Sequence, residues 1–209
     1  LFRWAKRFDH CRDNPCDRLP KLKRKPPPVH PIFSLVEQQA LVNGCSTSLL
    51  PDLDRARVLL LLDCGARKGE IRALTIGDID LRERCVLLLG KGSRERLVPI
   101  RKEAVSAIDR LLLQPPLGRT LLPTDHLWFP WHISQFGDGR KRGDRVWPER
   151  KWSDRGVHDW WKQRVAAAGI LYRKLHNTRH TYATDLMDAD ANPKDVKDML
   201  GHADMRTTE

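Results

Sequence analysis

No stretch of about 18 apolar residues occurs in these 209 residues, so the sequence offers no membrane-spanning helix. No secretory leader opens it. The first residues, "LFRWAKRFDH", mix charges with aromatics, begin without Met and read as the middle of an amphipathic helix, so a preceding segment is expected. Cysteine occurs at positions 11, 16, 45, 64 and 85, an odd count without paired metal spacing. That pattern argues against a disulfide framework and fits a reduced, intracellular chain. Acidic residues form no cluster suited to a divalent ion, which disfavours a metal-dependent nuclease. Internal repeats are lacking as well.

Positive charge is plentiful. Lys and Arg number 38 against 27 Asp and Glu, a formal net charge of +11. Such a balance favours an anionic partner, with nucleic acid first, although a basic surface can also serve solubility alone. Hydrophobic residues make up 40% of the chain, enough to fill the core of a domain this size.

Residues 1–12 read as the end of a helix, with Phe2, Trp4 and Phe8 as its apolar surface. Residues 13–31, containing "NPCDRLPKLKRKPPPVHP", are rich in Pro and in Lys/Arg, and predict an extended basic linker. Lys21, Lys23, Arg24 and Lys25 within it could track a phosphate backbone. The main domain is expected over 32–209. Ser34 and Glu37 have capping-box spacing. "LDRARVLLLLDCG" predicts a buried helix stopped by Gly65. "CVLLLGKGSRERLVPI" predicts a β-hairpin. "RKEAVSAIDRLLLQ" places Val105, Ile108, Leu111 and Leu112 on one helix face. Ser153 caps a helix closed near Gly169, and Asn192-Pro193 opens the last one. The sum is a mainly α fold with a small antiparallel β-sheet, an α+β class.

Four stretches could carry chemistry. In "CGARKGEIRAL", Arg67 follows a helix stop and Glu70 lies one helical turn on. In "GKGSRERLVPI", Lys91 sits between glycines at a hairpin turn. In "LHNTRHTYAT", His176 and Arg179 share one face at a helix start, where anions are favoured. In "LGHADMRTTE", His202 follows a helix-stopping Gly. Singly, each has an ordinary reading: a surface ion pair, a basic turn, a capping histidine. His176 and His180 could suggest zinc, but the glutamate of "HExxH" and a third ligand at recognisable spacing are missing, so no metal site is expected.

Arg67, Lys91, His176, Arg179 and His202, in this order, resemble the catalytic domain of the tyrosine recombinases, the phage-integrase family. The resemblance covers residues 32–209. It implies that residues 1–12 are the tail of an N-terminal helical DNA-binding domain. It also implies an enzyme in which a tyrosine attacks a DNA phosphodiester, leaving a 3′-phosphotyrosine and a free 5′-hydroxyl, without a cofactor, ATP or metal. By the same resemblance, Arg67 and Arg179 would hold the phosphate oxygens and Lys91 would protonate the leaving oxygen. His176 would assist proton transfer at the tyrosine, His202 would hydrogen-bond the phosphate, and Glu70 would buttress the site. Tyr172 and Tyr182 are the only tyrosines, and neither matches the nucleophile's position, which is expected about two residues beyond Glu209. The partner implied is double-stranded DNA, bound as a homotetramer in a cytoplasmic, nucleoid-associated setting. A Trp- and Arg-rich stretch, 128–152, reads as a loop against the DNA backbone, with Arg140, Lys141, Arg142 and Arg145 on phosphates. The competing readings are a catalytically inactive DNA-binding relic and a basic protein binding nucleic acid without specificity.

Overall fold

The computed structural model describes residues 2–18, 31–90, 95–132 and 145–201. Helix α1 (Phe2–Arg7) exposes Phe2 and Trp4, and Phe8 just past its end is exposed as well. It stops earlier than the sequence suggests, as the backbone turns at Asp9, with φ of 54°. The expected extended linker also begins with local structure. Pro15–Arg18 forms a 3-10 turn, in which the Asn14 carboxamide accepts from the Cys16 amide at 3.1 Å and donates to Asp17 at 2.8 Å. A short polar side chain folding back on its own backbone overrides the extended tendency that the prolines impose.

Helix α2 (Leu35–Asn43) starts at the predicted capping box: Ser34 and Glu37 exchange side-chain and backbone hydrogen bonds at 2.9 and 3.3 Å. Helix α3 (Pro51–Cys64) is the centre of the domain. Its buried residues run from Leu53 to Cys64 and lie on every face, so it must be enclosed rather than laid on a core. It packs against α2, helix α5 (Lys102–Leu113) and helix α7 (Asn177–Asp188). Gly65 ends it in the left-handed conformation. A Cβ there would lie 2.5 Å from the Tyr182 ring, so glycine is required by both backbone and space.

Short helix α4 (Lys68–Ala73) leads into a three-stranded antiparallel sheet of β1 (Ile79–Asp80), β2 (Cys85–Leu89) and β3 (Glu95–Pro99), in that order. Val86 pairs with Val98 and Leu88 with Arg96. Val86, Leu88 and Val98 face the core, as the period of two demands. On α5, Ala104, Ala107, Ile108 and Leu111 are buried, with Val105 and Leu112 packed at the edge. Arg101 joins the start of α5 to α3 through two hydrogen bonds to Asp63, at 2.9 and 2.7 Å.

The stretch 128–152 is corrected in part. Trp128 and Phe129 are wholly buried, and strands β4 (Trp131–His132) and β5 (Arg145–Val146) pair antiparallel. Trp128, Phe129 and Val146 at the ends of this segment are therefore core, while Arg145, Glu149, Arg150 and Lys151 remain exposed. A buried cation explains why. Arg57 on α3 donates to the carbonyls of Leu127 (3.0 and 2.9 Å) and Phe129 (3.2 Å). Its guanidinium lies 5.0–5.9 Å from the rings of Phe129, Trp152 and Trp160. Two aromatics of this stretch, Phe129 and Trp152, thus line this arginine together with Trp160 of α6.

Helix α6 (Asp154–Ala167) is capped by Ser153, whose hydroxyl accepts from the Gly156 amide at 3.0 Å. Helix α8 (Pro193–Leu200) is capped by Asn192, begins with Pro193 and ends at Gly201 in the left-handed conformation. Among the described residues, no helix is long and apolar enough to cross a membrane.

Asp54 is the buried anion that faces the cations of this core. It accepts from Trp160 Nε1 at 2.6 Å and from the Ser48 hydroxyl, and pairs with Arg164 at 3.2 Å and Arg57 at 3.6 Å. Burial pushes the Arg57 guanidinium down to about 10, and Asp54 opposes that shift. Asp54→Ala leaves two cations without their shared anion, and should cost about 3–5 kcal/mol of stability, read from urea unfolding.

Candidate phosphate-binding site

The site is assembled from four chain segments around one carboxylate. After Gly65 the chain runs extended through Arg67, which is the N-cap of α4 with φ −73° and ψ 152°. One turn on, buried Glu70 accepts from the Arg67 amide at 2.8 Å and from Arg67 Nη1 at 2.9 Å. Arg96 reaches the same carboxylate from β3 with both Nη atoms, at 2.9 and 2.7 Å. Glu70 thus fixes the Arg67 backbone and two guanidiniums at once. Burial alone would raise its pKa, but the Arg96 fork and the Arg67 amide outweigh this and hold it below the usual carboxylate value.

Arg179 comes from the first turn of α7 and is nearly fully buried, at 3% exposure. It donates to the Gly65 carbonyl at 2.7 Å and to the Leu200 carbonyl. Burial first, then the charges of Arg67 and Arg96, push its pKa down to about 10. It stays protonated at neutral pH, in a place where charge is costly.

The end of α8 completes the arrangement. Three successive carbonyls accept from three arginines: Met199 from Arg96 Nε at 2.8 Å, Leu200 from Arg179, and Gly201 from Arg67 Nη2 at 3.0 Å. Helix C-termini carry unpaired carbonyls and partial negative charge, so guanidiniums are natural partners there. Among these four side chains, three cations face one anion. The surplus positive charge suits a bound phosphate.

Helix α7 is held from the other side by the start of the main domain. Asn177 donates to the Pro31 carbonyl at 2.7 Å, and the Phe33 amide donates to the Thr181 hydroxyl at 2.9 Å. His176, exposed at the N-cap of α7, has its ring 4.9 Å from His180, edge to face. Tyr182 is buried against Gly65, and burial raises its pKa to about 12.

The structure therefore brings together Arg67, Glu70 and Arg179, with His176 one turn before Arg179. Lys91, His202, Lys21, Lys23, Arg24, Lys25, Arg140, Lys141 and Arg142 lie outside the described residues. Arg145 is exposed on β5, opposite His132. Sequence reasoning missed Arg96. The signal was present: in "ERLVPI" residues 96, 98 and 100 share the core-facing side of a strand, and an arginine on that side needs a buried acid.

Residues 34–209 match the model of the phage integrase family. The chain belongs to the phage integrase family. It is 31% identical over its whole length to tyrosine recombinase XerD of Proteus mirabilis, covering 63% of that protein. It is 30% identical to tyrosine recombinase XerC of Alcanivorax borkumensis, covering 64%. It thus spans less than two thirds of these relatives. The fold matches a Tn1549 transposon integrase in complex with transposon right end DNA, at a TM-score of 0.69 and 18% identity, covering 99% of this chain and 69% of that one. It also matches the crystal structure of XerA recombinase at a TM-score of 0.63 and 24% identity, covering 87% and 60%.

Glu70 makes a pH test possible. Its folded pKa lies below its unfolded value of about 4.3, so its stabilising contribution is complete above that value. The contribution is lost as pH falls through the lowered folded pKa. Glu70→Gln should cost about 3 kcal/mol at pH 7, and the gap to the parent should shrink steadily below about pH 4 in urea titrations.

Proposed function

We propose that this chain is the DNA-cleaving part of a site-specific recombinase that breaks and rejoins duplex DNA through a 3′-phosphotyrosine. The observation that carries the reading is the convergence of Arg67 and Arg179 on the end of α8, with positive charge left over after Glu70 is satisfied. A phosphodiester under attack gains negative charge on its non-bridging oxygens, and fixed guanidiniums stabilise that charge more than they stabilise the ground state.

The reaction runs as follows. The tyrosine oxygen bonds to phosphorus while the bond to the 5′-oxygen breaks. Lys91 delivers a proton to the departing 5′-oxygen, whose alkoxide is a poor leaving group. His176 assists removal of the tyrosine proton, and His202 donates to a phosphate oxygen. The phosphotyrosine conserves the energy of the broken bond, so attack by a 5′-hydroxyl of a second DNA reverses the step without a nucleotide cofactor. Glu70 orients Arg67 and does not touch the DNA. Tyr182 is unsuited as the nucleophile, because burial disfavours its phenolate. The nucleophile is assigned to a tyrosine about two residues past Glu209, on the resemblance stated above. The partner is double-stranded DNA, held as a homotetramer in the cytoplasm, with the basic residues of 21–25 along the backbone.

Extended past Glu209 by its gene's own codons, the protein should form a covalent adduct with members of a pool of nicked duplexes. Arg179→Ala should lower adduct formation by on the order of 10²–10³ while the protein remains folded. An extended protein that binds duplexes without any adduct would overturn the cleavage reading and leave a DNA-binding protein. Uniform, modest affinity losses in Arg67 and Arg179 variants would instead point to nonspecific nucleic-acid binding.

For the basic residues from 140 to the start of β5, the proposal is that Arg140, Lys141, Arg142 and Arg145 neutralise phosphates. Replacing all four with Ala should lower the slope of log affinity against log salt by about 0.9 for each phosphate no longer neutralised. An unchanged slope would place them away from the DNA.

A further inference from the structure

We propose that Arg96 is a positioning residue for the phosphate site, acting through Glu70 and the end of α8 rather than on the phosphate. The inference rests on the phosphodiester reading above. Arg96 stands on the core-facing side of β3, opposite Leu88, with its side chain 10% exposed. Its Nη atoms hold both Glu70 oxygens, and its Nε holds the Met199 carbonyl. The guanidinium also lies over Gly201, where a Cβ would sit 3.2 Å from Nη1. Gly201 is the residue whose carbonyl holds Arg67.

One planar fork therefore joins three segments: the strand that follows Lys91 in sequence, the acid that orients Arg67, and the helix end that holds Arg67 and Arg179. Withdraw it, and among the described residues Glu70 keeps only the Arg67 amide and one Arg67 nitrogen. The carboxylate is then free to rotate, and the Met199 carbonyl loses its described side-chain donor. Lysine cannot replace the fork, because its single ammonium cannot bond two carboxylate oxygens and a carbonyl in fixed directions. Arg96→Lys keeps the charge, so the long-range attraction for DNA persists while the geometry is lost.

Two readouts on the 209-residue chain test this. The first is side-chain NMR of the arginine guanidinium groups. In the parent, Arg67 should show the separate, slowly exchanging Nη signals of a restrained guanidinium. In Arg96→Lys those signals should collapse to an averaged one, with circular dichroism unchanged. Arg67 signals that stay separate and unshifted would overturn the proposal. The second is a cycle of duplex-DNA affinities. Arg96→Lys should weaken binding about tenfold in the parent, but by less than about twofold in an Arg67→Ala background. Equal losses in both backgrounds would show that Arg96 does not act through Arg67. A merely structural role would lower the urea midpoint and leave the two losses equal. If the parent fails to bind duplex DNA, the phosphodiester reading falls, and the guanidinium signals alone decide the role of Arg96.

Discussion

The end of α8 is the point on which the site turns. A helix terminus leaves carbonyls that need donors, and here three in a row are met by guanidiniums from α4, β3 and α7. Each arginine comes from a different part of the chain, so the terminus gathers segments that sequence keeps far apart. The left-handed turn at Gly201 ends the helix there.

A second buried knot holds the fold at the N-terminal half of α3. Arg57, Arg164 and Asp54 sit in the core with Trp160, Trp152 and Phe129 around them. The two knots differ in a way that matters. In the core knot, two carbonyls, three rings and Asp54 lie against Arg57, and the residue is fully buried. In the site knot, the Arg67 side chain keeps 39% of its surface exposed. The first arrangement encloses charge to fix a fold. The second leaves charge open to a ligand.

What the sequence made legible was local. The Ser34–Glu37 capping box, the stop at Gly65, the hairpin strands and the Asn192-Pro193 start depend on residues within a few positions of one another, and the structure has each in place. The pairing of Arg67 with Glu70 was legible for the same reason, since they are one helical turn apart. The partners that went unseen are tertiary. Arg57 sits inside an apolar helix pattern, and only the fold reveals the carbonyls of 127 and 129 beside it. Trp128 and Trp152 stood near basic residues and suggested a surface, whereas their neighbours in space are an arginine and the core. Arg96 is the intermediate case: strand periodicity shows which way it faces, but Glu70, its partner, lies 26 positions away in sequence.

On the proposed reading, the partners of Arg179 explain how it would act on a phosphate from a buried position. A carboxylate partner would neutralise the charge that a phosphate is meant to feel. Carbonyl partners hold the guanidinium in direction and leave its full charge in place. Burial and the nearby Arg67 and Arg96 raise the energy of that charge, as its lowered pKa records. An anion arriving beside it relieves the repulsion, and a doubly charged transition state relieves it more than a singly charged ground state does. Glu70 meanwhile serves the two arginines that need orientation, Arg67 and Arg96, and its charge opposes but does not cancel the strain at Arg179. Fixed donors with unspent charge in a water-poor setting are the physical form that preorganised transition-state stabilisation takes.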